Sequence, residues 1–201
     1  AKAAIGKIDN IDAPAAGFSN NYSVSFDGVD DYVDLGDSNV FSFGDGSDDS
    51  PFSISLWYKL SDVTSEPLIT KTGASSTERE WYLAFGSNDK IYFGCYDDSV
   101  NKAIYIYSAA FTSTEGSWTH IAVTYDGNEH PDGMEIYVNG SVVGVTRNDR
   151  ADYVAMENTA YDVWIGGFQA HSYYATGNID EVAIFNAELD ADAITDIYNS
   201  G

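Results

Sequence analysis

Apolar and polar residues alternate in short runs along this chain, and turn-forming residues interrupt each run. Phe52–Leu60 shows the pattern most clearly: Phe52, Ile54, Leu56 and Tyr58 fall on one face, with Ser53, Ser55, Trp57 and Lys59 on the other. A period of two is that of a strand with one buried face. Comparable runs occupy 68–71, 81–85, 91–96, 103–107, 118–125, 134–138, 142–146, 163–168 and 179–185. Ser87, Asn88 and Asp89, then Asp126-Gly127, then Asn139-Gly140 separate them. Asn139-Gly140 is the strongest hairpin signal, because both residues tolerate the positive φ of a two-residue turn. Roughly ten to twelve strands at this spacing imply an all-β, two-sheet antiparallel β-sandwich or jelly roll. Only the end reads as helical. Asp190 is placed to cap a short helix over 191–199, with Ile194, Ile197 and Tyr198 on its buried stripe. Residues 1–201 read as a single domain, with 1–20 as an N-terminal strand or linker.

Charge narrows the possible partners. The chain carries 32 acidic and 9 basic residues, a net charge of −23. Nucleic-acid backbones and anionic membranes attract basic surfaces, so neither is an expected partner. A hard cation such as calcium, which takes oxygen ligands, suits the composition. No apolar run approaches the length of a membrane span. Cys95 is the single cysteine, so no internal disulfide forms; it is in phase with Ile91 and Phe93 and reads as buried.

The stretch from Phe26 to Gly36 holds Asp27, Asp30, Asp31 and Asp34, and Asp37 follows it. Asp27-Gly28 lies between two alternating runs and reads as a hairpin turn. An active site is not expected. Retaining glycosidases hold two carboxylates about 5–5.5 Å apart. Glu78 and Glu80 share a face only at a loop end, and the adjacent Asp180 and Glu181 point to opposite faces. His120, His130 and His171 show no zinc-ligand spacing. The domain is therefore expected to be non-catalytic.

Several motifs in order carry a family resemblance. They are Phe26-Asp-Gly-Val-Asp-Asp-Tyr-Val, Phe52-Ser-Ile-Ser-Leu-Trp-Tyr, Trp118-Thr-His-Ile-Ala-Val-Thr-Tyr-Asp, Ile136-Tyr-Val-Asn-Gly, Ile165-Gly-Gly, and Gly177-Asn-Ile-Asp-Glu-Val-Ala-Ile-Phe-Asn. Over about residues 20–200 the chain resembles laminin-G-like jelly-roll domains of the concanavalin A-like lectin and glucanase superfamily. The resemblance implies two curved antiparallel sheets with adjacent N- and C-terminal strands. It also implies a structural calcium between the early Asp-Gly turn and the Ile-Asp-Glu-Val strand. Asp27 and Asp180 are the implied ligands, with Asp49 as a further candidate. Such domains serve as carbohydrate-binding modules, adhesion modules, and structural domains of phage and virion proteins.

Aromatic residues make up 14% of the chain, including 15 tyrosines. Many oppose the aliphatic strand face. Tyrosine and tryptophan offer a flat apolar plane with a polar handle, which suits sugar rings. Tyr96, Tyr105 and Tyr107 on strands, with Trp81, Tyr173 and Tyr174 at loop rims, are the candidate ligand-binding residues. The same rings could instead fill a second small core under loops. The leading expectation is a calcium-stabilised carbohydrate-binding or adhesion module of a larger secreted or surface protein. A phage or virion domain that packs on neighbouring subunits, and a divergent glycoside hydrolase, are the alternatives.

Overall fold

The computed structural model describes residues 22–75, 77–149, 152–169 and 172–200. The expected strand or linker over 1–20 lies outside them, as does His171. The strands are β1 (Val24–Asp27), β2 (Val33–Asp34), β3 (Phe52–Leu60), β4 (Pro67–Thr72), β5 (Arg79–Phe85), β6 (Lys90–Asp97), β7 (Lys102–Ala110) and β8 (Thr119–Tyr125). Then come β9 (Met134–Val138), β10 (Ser141–Val142), β11 (Val145–Asp149), β12 (Val163–Ile165), β13 (Gly167–Phe168), β14 (Tyr173–Tyr174) and β15 (Thr176–Phe185). One α-helix, α1 (Ala191–Ser200), follows.

Two antiparallel sheets form a sandwich. The first has the order β1-β15-β3-β8-β9-β10 and the second β11-β7-β6-β5-β4-β12-β2; β13 and β14 pair separately. The inward face of β3 is the one expected: Phe52, Ile54, Leu56 and Tyr58 are fully buried. They join Leu83, Ile91, Phe93, Cys95, Ile104 and Ile106 of the second sheet in one core. Each such side chain stabilises the fold by roughly 1.5–3 kcal/mol. Cys95 is buried, as its phase implies.

Asn139 and Gly140 take φ of 50° and 74° and join β9 to β10 as the expected hairpin. The run over 163–168 divides at Gly166, whose φ is +75° and where a Cβ would collide with the Phe26 ring. The Asp27-Gly28 turn is not a hairpin. β1 pairs with β15 in the first sheet, whereas β2 pairs with β12 in the second. The acidic turn passes the chain across the sandwich edge. Its geometry is held locally, with Val29 N donating to Asp27 Oδ1 at 2.9 Å and Asp27 N to Asp31 Oδ2 at 3.1 Å. A short Asp-Gly link looks the same in sequence whether its arms pair with each other or elsewhere; here longer partner strands capture both arms.

Helix α1 covers the outer face of the first sheet. Asp190 Oδ1 accepts from Ala193 N at 2.8 Å, the expected cap. Ile194 packs on Ala122 and Tyr137 in a second small core. Trp57 stacks on Tyr198 with ring centroids 5.6 Å apart. Ser53 Oγ donates to Ala187 O and accepts from Leu189 N, tying the segment before the helix to the sheet. Beneath the helix, His120 is fully buried with Nε2 2.9 Å from Ser55 Oγ. Burial lowers its pKa to about 4, so it is neutral at pH 7.

One end of the core is polar. Lys71 pairs with Trp81 and Thr72 with Arg79, which leaves Glu80 as an extra residue in a bulge. Lys71 Nζ lies 3.0 Å from Glu80 Oε2, and both side chains are fully buried. The ammonium also donates to Thr159 O at 2.8 Å and Tyr161 O at 3.0 Å. Glu80 Oε2 accepts from Thr159 Oγ1 at 2.7 Å. Burial pushes the Glu80 carboxyl up, and the Lys71 ammonium opposes that shift.

Candidate ligand-binding face

The outer face of the second sheet bears tyrosines. By period-two alternation, the inward Trp81, Leu83 and Phe85 of β5 leave Tyr82 outward. Inward Ile91, Phe93 and Cys95 leave Tyr92 and Tyr96 outward on β6, and inward Ile104 and Ile106 leave Tyr105 and Tyr107 outward on β7. All five outward tyrosines are half-buried. Tyr92 and Tyr107 face each other across strands with centroids 5.2 Å apart, and Tyr82 lies 5.7 Å from both Tyr96 and Phe168. Gly94 opposes both Tyr82 and Tyr105 in the ladder. A Cβ there would sit 3.0 Å from the Tyr82 ring and 3.2 Å from Tyr105 Cβ, so glycine keeps a gap between the rings.

A cleft of about 340 Å³ opens at one end of this row. Arg79, Tyr82, Tyr92, Tyr96, Phe168 and Tyr173 line it, and Ser87 and Asn88 close one side. Asn88 Nδ2 donates to the Tyr92 hydroxyl at 3.1 Å. Arg79 is fixed against the wall: its Cζ lies 3.9 Å from the Tyr96 ring centroid, Nη1 donates to the Tyr96 hydroxyl at 3.1 Å and Nη2 to Asn101 Oδ1 at 3.2 Å. At the far end, Lys90 Nζ lies 4.6 Å from the Tyr107 ring centroid. Burial raises the Tyr82 phenol well above its ordinary range, so it is a neutral hydroxyl at any working pH. No Asp or Glu is among the described residues lining the cleft.

Of the expected binding residues, Tyr96 and Tyr173 line the cleft, and Tyr105 and Tyr107 continue the row beside it. Tyr174 neighbours Tyr173 on a strand and so faces the other way, with its ring 6.3 Å from Tyr32. Trp81 is not a rim residue. It is fully buried, with Nε1 donating to Phe41 O at 2.8 Å and its ring against Phe43 and Phe52. Its phase with Leu83 and Phe85 carries that placement, and the same phase turns Tyr82 outward to the cleft. Arg79 and Phe168 also line the cleft, each reaching it from a different segment, which alternation along one strand does not show.

The acidic candidates separate. Asp27, Asp30 and Asp31 each offer a carboxylate oxygen, all within 4.8 Å of one another and exposed. Three hard oxygen donors that converge in this way could hold a metal ion. Asp180 does not join them. Asp27 pairs with Thr176, and Asp180 lies four residues farther along β15, about 13 Å away at strand rise. Both oxygens of Asp49 are engaged inside the fold. Its Oδ2 accepts from the Tyr125 hydroxyl at 2.7 Å and the Tyr153 hydroxyl at 2.6 Å, and its Oδ1 from Met156 N at 2.8 Å. It is a hydrogen-bond hub beneath the loop over 153–156. Burial raises its carboxyl, and the two phenols work against that.

No curated protein sequence matches the chain. Solved structures with the same fold include the CBM40 of the Ruminococcus gnavus IT-sialidase bound to alpha2,3 sialyllactose. That chain is 15% identical, with 88% of this chain and 95% of that one covered, and a TM-score of 0.64. The binding domain of Paraclostridial Mosquitocidal Protein 1 is 13% identical over 89% of this chain and 46% of its own, with a TM-score of 0.62. The botulinum neurotoxin serotype G binding domain is 18% identical over 90% and 47%, with a TM-score of 0.57. These likenesses establish the sandwich. The laminin-G model described as concanavalin A-like lectin/glucanases superfamily matches residues 27–195. With that match and this topology, the chain belongs to the laminin-G-like domains of the concanavalin A-like lectin/glucanases superfamily.

Proposed function

We propose that this domain is a non-catalytic glycan-binding module, and that it binds on the outer face of the second sheet. One observation carries the reading: a 340 Å³ cleft walled by Tyr82, Tyr92, Tyr96, Phe168 and Tyr173, with amide and guanidinium donors and no carboxylate among its described lining. Stacked rings with a few convergent polar groups suit sugar rings. Most glycosidases cut the bond with a pair of carboxylates that flank it. Glu80 is committed to Lys71 inside the core, and Glu78 Oε2 accepts from Ser75 N within its own loop. The likeness to the CBM40 bound to sialyllactose supports a module that holds glycan without cutting it. The reading includes a calcium held by Asp27, Asp30 and Asp31 at the crossing between sheets, where it would neutralise their repulsion and brace the turn. It also includes a place outside the cell, as one module of a larger protein.

A glycan array followed by calorimetry tests the site. Binding to at least one glycan class, reduced tenfold or more in Tyr82→Ala and Tyr96→Ala, is the expected result. No binding to any glycan, together with a dimer in light scattering that Tyr82→Ala dissolves, would replace this reading with a protein–protein surface.

A further inference from the structure

We propose that the saccharide held on this face is anionic, and that Arg79 receives its carboxylate or sulfate. This rests on the glycan-binding reading above and adds the ligand's charge. The observation is how the few cations are placed. Lys71 pairs with Glu80 and Asp37, Lys102 with Asp152, and Arg147 with Asp132 and Glu135. Among the described residues, Lys59, Arg79 and Lys90 have no such pair, and of these Arg79 and Lys90 lie over aromatic rings. Neither of these two has a side-chain nitrogen within 4 Å of a described carboxylate, although the chain carries 32 acidic residues; Asp98 Oδ1 instead accepts from Arg79 N at 3.2 Å. Both are held over tyrosine rings on the same open face.

A ring orients a cation without cancelling its charge. The Tyr96 and Asn101 contacts use one proton each from Nη1 and Nη2, so each nitrogen keeps a second N–H. Arg79 is therefore a pre-oriented fork at the cleft wall with charge to spare, the arrangement that binds carboxylate or sulfate oxygens. Tyr92 and Tyr96 are four residues apart on β6, about 13 Å at strand rise; Arg79 lies over Tyr96, and Lys90 over Tyr107, the cross-strand partner of Tyr92. An anion needs such a fixed cation here. At a net charge of −23 the molecule as a whole repels it, so an anion on this face depends on the local attraction of Arg79 and Lys90.

The test uses the whole chain, titrated calorimetrically with oligogalacturonate, a sialylated trisaccharide and a sulfated galactan oligosaccharide, each beside its neutral counterpart. At least one acidic probe should bind tenfold or more tighter than its counterpart, and that margin should shrink as salt rises. Arg79→Gln should abolish the margin, and Arg79→Lys should restore part of it. Lys90→Gln, on a side chain outside the core, should reduce it while leaving the melting temperature unchanged. Which acidic probe wins assigns carboxylate or sulfate. If a neutral probe binds as tightly as its acidic partner, or Arg79→Gln keeps the margin, the charge assignment is overturned while glycan binding stands. If no probe of either kind binds, both are overturned.

Discussion

Breaking the buried pair at the polar end of the core has a calculable, pH-dependent cost. In Lys71→Met, the Glu80 carboxylate loses an ammonium 3.0 Å away in a site with no solvent contact. At an effective dielectric constant near 20, that attraction is about 5–6 kcal/mol. The intact pair gains little from it, since desolvating both ions offsets most of the attraction. The variant keeps the desolvation and loses the attraction. It has one escape, which is to protonate Glu80. From an ordinary carboxyl pKa near 4.5 that costs about 3.4 kcal/mol at pH 7 but only about 1.4 kcal/mol at pH 5.5. The carbonyls of Thr159 and Tyr161 also lose their donor, adding about 1 kcal/mol each. The expected deficit is thus about 5 kcal/mol at pH 7 and about 3 kcal/mol at pH 5.5. The sign is that of an acid whose folded pKa is raised: stability is lost as pH climbs from the unfolded value toward the folded one. Urea unfolding of wild type and variant at both pH values measures it, because titrations common to both cancel in the difference. Adding Glu80→Gln to Lys71→Met should recover about 3 kcal/mol at pH 7 and about 1 kcal/mol at pH 5.5. A deficit below about 1 kcal/mol, or one equal at the two pH values, would refute the buried-charge account.

Three further outcomes are expected. Glu66 is buried, and its burial raises the carboxyl to about 7 while its Oε2 accepts from Thr176 N at 2.8 Å. It lowers stability as pH rises from about 4.5 to 7, so Glu66→Gln should stabilise by about 2 kcal/mol at pH 8 and by nothing near pH 4. Melting curves at the two pH values decide this, and an equal effect at both would contradict it. His120 acts in the opposite direction: its folded pKa of about 4 means stability is lost as pH falls from about 6.5 to 4. His120→Gln should flatten that part of the stability profile, and an unchanged profile would show that His120 is not the group responsible. Calcium should raise the melting temperature and EDTA should lower it, with the response lost in Asp30→Asn/Asp31→Asn and kept in Asp49→Asn and Asp180→Asn. Loss of the response in Asp180→Asn instead would restore the ligand pair implied by family resemblance.

Local pattern alone determined much of this protein. Strand faces follow from a period of two, because each side chain's direction is set by its neighbours in the chain; hence the inward Phe52, Ile54, Leu56 and Tyr58 and the buried Cys95. The Asn139-Gly140 hairpin and the Asp190 cap were legible for the same reason: each is a contact within a few residues. Tertiary structure decided everything that depends on which distant segment arrives. Alternation marked the outward tyrosines and Trp57 alike, but only the docking of α1 shows that Trp57 is roofed while Tyr82, Tyr92 and Tyr96 line an open cleft. The Asp27 turn could not announce that its arms enter different sheets, because β15 and β12 come some 140 residues later. Asp49 resembled a metal ligand until Tyr125, Tyr153 and Met156 filled its oxygens. The acids were all visible in the sequence, but a carboxylate's role is set by what donates to it, and those donors come from across the fold.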